Sequence, residues 1–136
     1  MFKNYSDVYI RELLSEVTSI AVVGASSKSH RDSYKVVKRL MEYGYRVIPV
    51  NPNESGNNIM GQTFYADLTS INEPIDMVDV FRSSDAVMGI AQEAIEIGSK
   101  VLWTQIDIVN IEAANFAEKA GLKVIMDRCP KMELAK

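Results

Sequence analysis

The sequence predicts a doubly wound α/β domain, a mainly parallel sheet of about five strands with helices on both faces. One observation is a repeated grammar, in which a helical pattern leads through a glycine and a basic residue into a β-branched run. It reads MEYG-YR-VIPV from Met41, EIG-SK-VLW from Glu96 and KAG-LK-VIM from Lys119. Glycine accepts the left-handed conformation that closes a helix, so Gly44, Gly98 and Gly121 read as stops before strands. A second observation is that these strands are short, continuous apolar runs, as suits a parallel sheet covered on both faces. A third is IAVVGASSKSHR from Ile20, where an apolar strand meets a glycine turn followed by small, polar and basic residues.

Taken in order, helical spacing predicts a first helix over about 6–17 and β-branched runs predict a strand over 19–23. The next helix, about 33–43, places Val36, Val37, Leu40 and Met41 on one face and leaves Lys35, Lys38, Arg39 and Glu42 outside it. A strand over 46–50 follows. The stretch 53–75 is rich in Asn, Ser, Gly and Pro and reads as loop, with a short edge strand near 62–65. A strand over 77–81 precedes a helix over about 84–97, whose Val87, Ile90, Ala91, Ala94 and Ile95 share a face. A strand over 100–105, a helix over about 110–120 and a strand over 123–126 complete the pattern. No linker or break in composition divides it, so residues 1–136 read as one domain.

Composition narrows the function classes. At 47% hydrophobic and 24% charged residues the chain is ordinary for a globular protein. No apolar run approaches the roughly 20 residues of a membrane span. The opening MFKNYSDVYIRELL carries Asp7 and Glu12 and lacks an apolar core, so no secretory signal is expected. One cysteine, Cys129, cannot form an intramolecular disulfide, and one histidine with one cysteine cannot make the usual zinc set. A reducing cytoplasm is the expected location. The net charge of −3 argues against a general nucleic-acid binder. Locally, however, Lys28, Arg31, Lys35, Lys38 and Arg39 face the single acid Asp32. Lys35, Lys38 and Arg39 read as a solvated helix face, whereas Lys28 and Arg31 precede the helix, where an anion would sit.

Ligands of open α/β sheets bind beyond the carboxyl ends of the strands. At the first end Gly24, Ala25 and Ser26 allow close approach to backbone, and Ser33 is expected to cap a helix whose dipole favours an anion. Arg31, with Lys28 or His30, would add charge-assisted hydrogen bonds to phosphate oxygens. A dinucleotide fingerprint would carry three glycines here and an acid after the second strand. This chain has Gly24 alone, and Asn51 and Pro52 after VIPV, a neutral pair suited to an adenine or ribose contact. No Ser/His/Asp grouping forms around His30. Cys129 beside Arg128 reads as a structural cysteine, with an activated thiolate the less favoured alternative.

The ordered set of VGAS at Val23, R-x-S-Y at Arg31, VIPVNP at Val47, G-x-x-x-Y at Gly61, D-x-V-D-V-F-R at Asp76, V-L-W-x-Q at Val101 and D-R-C at Asp127 resembles a known family. It is similar to the small CoA-binding proteins of the succinyl-CoA synthetase-like CoA-binding superfamily. The resemblance implies a three-layer Rossmann-like fold and coenzyme A, free or acylated, as ligand. It implies that Gly24, Ala25, Ser26, Arg31 and Ser33 line the phosphate end and that Asn51 and Pro52 flank the adenosine. Phe81, Arg82, Ser83 and Ala86 would border the pantetheine path, and Trp103, Thr104 and Gln105 would close its far side. Two positions depart from the family pattern. Asp107 stands where relatives usually have glycine, and Asp32 where they often have proline. The synthetases carry their phosphorylated histidine in a further domain, so binding without catalysis is the expected role, with a homo-oligomer or a protein partner left open. The alternatives are an NAD(P)-dependent oxidoreductase and a protein-interaction module on a degenerate nucleotide-binding fold.

Overall fold

The computed structural model describes residues 3–136. Met1 and Phe2, which open the segment read against a secretory signal, lie outside the described residues. Five parallel strands form the main sheet: β1 (Ser19–Val23), β2 (Arg46–Val50), β5 (Met77–Val80), β6 (Val101–Thr104) and β7 (Lys123–Ile125), in the spatial order β2-β1-β5-β6-β7. Between β2 and β5 a small hairpin pairs β3 (Asn58–Ile59) with β4 (Gln62–Thr63), and Tyr65 adds one parallel bridge to Val50 at the sheet edge. The edge strand expected at 62–65 is therefore split, half in the hairpin and half against β2.

Helices cover both faces, as β1 requires with every one of its residues buried. On one face lie α1 (Asp7–Glu16), α2 (Asp32–Glu42) and α5 (Pro130–Leu134). Ile10, Leu13, Val36, Val37 and Leu40 pack there with Val22, Trp103 and Ile125. On the other lie α3 (Val87–Glu96) and α4 (Ile111–Lys119), where Val87, Ile90, Ala91 and Ala94 meet Val78, Val80 and Leu102. The structure starts α3 at Val87 because Ser84–Ala86 form a separate turn of 3-10 helix. The short α5 extends a chain that the sequence left unassigned after β7.

The chain runs from β1 outward to β2, then crosses back to β5 on the other side of β1. That reversal opens a crevice between the carboxyl ends of β1 and β5, the position at which such sheets bind ligands. Backbone bonds fix it: the Gly24 amide donates to Val50 O at 2.8 Å and the Phe81 amide to Val23 O at 2.7 Å.

Candidate functional site

A groove of about 610 Å³ opens at this crevice, walled by Gly24, Ser26, Lys28, Arg31, Asp32, Ser33, Asn51, Asn53, Glu54 and Phe81. Gly24 is there for contact as much as for conformation. Its φ is +89°, and a Cβ would stand 2.3 Å from Phe81 O and 3.1 Å from Arg82 Cδ. Glycine thus lets the β1 turn touch the end of β5, with the Arg82 stem beside it. Ala25 is fully buried, and its carbonyl accepts from Asn51 Nδ2 at 2.9 Å. Asn51 Oδ1 also accepts from the Asn53 amide, capping the 3-10 turn Pro52–Glu54. The Asn51 amide therefore shapes the turns on which a ligand would rest.

Lys28 and Arg31 are exposed at the groove, and neither forms an ion pair among the described residues. Behind them α2 begins. Its cap is Arg31, whose side chain makes no capping bond, and Ser33 lies one residue inside the helix, buried. The capping role expected of Ser33 is therefore corrected: the helix starts at Asp32, so Ser33 already has helical geometry. The consequence favours an anion, because the first turn of α2 lines the groove and its amides have no side-chain acceptor from the cap residue. Asp32, in that first turn, suits the helix dipole while adding negative charge to the rim.

Glu54 also walls the groove, although it was not among the residues expected there. Its carboxylate accepts from the Ser27 amide at 2.5 Å, Ser27 Oγ at 2.8 Å and Asn57 Nδ2 at 3.0 Å. The Ser27 amide, first among these donors, holds it below the usual carboxylate range. It clamps the turn after β1 to the turn after β2. The sequence signal was faint: an acid a few residues beyond β2, where ribose-binding acids stand in other α/β folds.

The remaining sequence candidates divide. Phe81 walls the groove and also a second cavity of about 360 Å³, which it shares with Asp32, Gln105, Ile106, Ile108, Cys129 and Met132 among others. Gln105 reaches that cavity from the end of β6. Trp103 and Thr104 do not: both are fully buried, Trp103 Nε1 donating to Arg128 O at 2.9 Å and Thr104 Oγ1 to Ile108 O at 2.5 Å. Alternation along a strand sends such side chains into the packed layers on either side of the sheet. Ser83 donates to Asp85 Oδ1, Ala86 packs against the core, and Pro52 is exposed beside the groove without walling it. Asp107 has a φ of +69°, the left-handed region that favours glycine, and its amide donates to Asp127 Oδ1 at 2.7 Å. Aspartate tolerates that conformation better than most residues, so the strand-end turn is kept without glycine.

Behind Gln105 lies Asp79, fully buried in β5. With its nitrogen facing the carboxyl group, the Gln105 amide donates to both Asp79 oxygens, at 3.0 and 3.1 Å. Burial pushes the Asp79 carboxyl well above the usual range. Arg128 is engaged elsewhere, donating to Asp127 O and Lys3 O and lying over the Tyr5 ring. No helix among the described residues is long and apolar enough to cross a membrane.

A family model described as a CoA binding domain matches residues 18–135. The chain is 39% identical over 130 residues to Uncharacterized protein YneT of Bacillus subtilis (strain 168), covering 96% of this chain and 95% of that one. It is 33% identical over 95 residues to the acetate–CoA ligase [ADP-forming] I subunit alpha of Pyrococcus furiosus. That match covers 67% of this chain and 21% of the ligase subunit. A solved structure of a hypothetical protein from Pyrococcus horikoshii OT3 superposes with a TM-score of 0.90 at 37% identity, covering 99% of this chain and 97% of that one.

Proposed function

Since this chain belongs to the CoA-binding domain family, we propose that it binds coenzyme A or an acyl-CoA as a single domain, in a reducing cytoplasm and without catalysing a reaction by itself. The observation that carries this reading is the groove at the β1–β5 crevice, where the Gly24 turn, the first turn of α2, Lys28 and Arg31 converge. A phosphate there would receive backbone amides and charge-assisted bonds together. Gly24, Ala25, Ser26, Arg31 and Ser33 would serve the phosphates, directly or by shaping the turn. Asn51, Pro52 and Glu54 would frame the adenosine. Phe81, Arg82 and Gln105 would border the arm, while Ser83, Ala86, Trp103 and Thr104 would act through packing and turn geometry.

Several features weigh against the NAD(P) alternative: the single glycine in the turn and the neutral Asn51-Pro52 pair. In addition, both Glu54 oxygens are already engaged by Ser27 and Asn57. A ribose hydroxyl would have to compete with those donors. Thermal shift with CoA, acetyl-CoA, NAD and NADP tests the reading. A rise in Tm with the CoA species alone is expected. Stabilisation by NAD or NADP instead would replace this function, and no response to any of the four would favour an interaction module.

A further inference from the structure

We infer that the second cavity, beyond Phe81, is an acyl pocket that takes a short, neutral acyl group carried on the CoA thioester, an inference that rests on the CoA reading of the groove. The two spaces share Phe81 and Asp32, so a ligand leaving the phosphate end meets this cavity next. Their walls differ in kind. The groove is walled by glycine and polar side chains with Phe81 as its one large apolar surface, whereas the cavity presents Val36, Phe81, Ile106, Ile108, Cys129 and Met132. Lys35, Lys131 and Asp32 stand among them with charges of both signs. With two lysines to one acid the charges lean positive, but the apolar side chains that make up most of the wall favour a neutral acyl group.

One buried polar group completes it. Gln105 is only 7% exposed, yet it belongs to the cavity wall. One end of its amide is held by the Asp79 carboxyl group, which leaves the other end to the cavity. A lone amide end among apolar walls suits an amide group of the ligand arm, and fixes how deep the arm runs. At about 360 Å³ the space lies near the small end of ligand pockets, room for the end of the arm and a few carbons. Ile106 and Met132, at 46% and 54% exposure, form its outer lip, so longer chains would run past them into water.

Titration calorimetry with CoA, acetyl-CoA, butyryl-CoA and octanoyl-CoA tests this, with adenosine 3′,5′-bisphosphate as a probe of the phosphate end alone. Each methylene buried in the cavity should raise affinity by up to about fourfold. Affinity is therefore expected to climb from acetyl to butyryl and to level off before octanoyl. Filling the lip with Ile106→Trp, or independently with Met132→Trp, should abolish the climb and leave the bisphosphate affinity unchanged. Both positions are surface-exposed, which keeps folding out of the comparison. CoA binding with no dependence on the acyl group, or a dependence that survives both tryptophans, would overturn the acyl pocket while leaving the groove intact. Binding of none of the CoA species would overturn both.

Discussion

The two ends of the crevice are built by opposite means. At the phosphate end the wall is backbone and turn: Gly24 against Phe81 O, Asn51 tied to Ala25 O and Glu54 tied to Ser27. At the far end the wall is side chain: Val36 from α2, Phe81 and Gln105 from two strand ends, and Cys129 and Met132 from the start of α5, with Met132 at the exposed lip. The first is held by hydrogen bonds between turns that follow different strands, and it sets Lys28 and Arg31 beside Asp32 and Glu54. The second is a by-product of how two helices settle on the sheet. Damage at the first end should therefore touch charge and loop geometry, and damage at the second should touch packing.

The severest test of this contrast is Gly24→Ala. Its Cβ would meet Phe81 backbone that cannot swing aside, at a φ that L-residues avoid. A loss of about 3 kcal/mol in urea unfolding is expected, together with loss of CoA binding. Stability close to wild type would show that the strand ends are looser than their contacts imply. Next comes Arg31→Ala, which should lower CoA affinity about 10- to 100-fold, more at low salt than at high, while leaving Tm nearly unchanged. An unchanged affinity would remove Arg31 from the phosphate site.

Trp103→Phe probes the opposite case, a family motif residue that lies in the core. It removes the Nε1 donor to Arg128 O and part of the packing, so a cost of about 1–3 kcal/mol is expected with CoA affinity held within about twofold. A selective loss of affinity at unchanged stability would return Trp103 to the site.

Asp79→Asn separates the far end by pH. The folded-state pKa of Asp79 is raised, so its contribution is fully present below the unfolded value of about 3.9 and is lost as pH rises towards the folded one. Asparagine carries no such proton and keeps an oxygen for the Gln105 amide. The Tm gain of the variant over wild type should therefore be larger at about pH 8 than at about pH 5. A constant difference would mean that Asp79 titrates normally. The smallest effect is expected from Asp32→Asn at the shared rim. Loss of its charge should strengthen CoA binding about two- to fivefold at low salt, fading as salt rises, at a cost of about 0.5 kcal/mol from the helix dipole.

Much of the architecture was legible because it is locally encoded. The strands 19–23 and 46–50 were readable residue for residue, since each is an apolar run between a helix stop and a polar turn. The hairpin was less so: its turn residues Met60 and Gly61 both take positive φ, and methionine gives no sign of that geometry where asparagine would. The helix α5 is only five residues long, and its one signal was proline directly after Cys129.

By itself the sequence determined the layered sheet, the glycine stops, the Gly24 turn and the cations beside it, because propensity, periodicity and turn chemistry act over a few neighbouring residues. Tertiary structure decided which strand-end residues face the crevice and which face the core. It turned Trp103 and Thr104 inward, brought Glu54 to Ser27 and set the Gln105 amide against Asp79. Those outcomes depend on the mutual placement of strands and helices far apart in the chain, and no local pattern carries that placement.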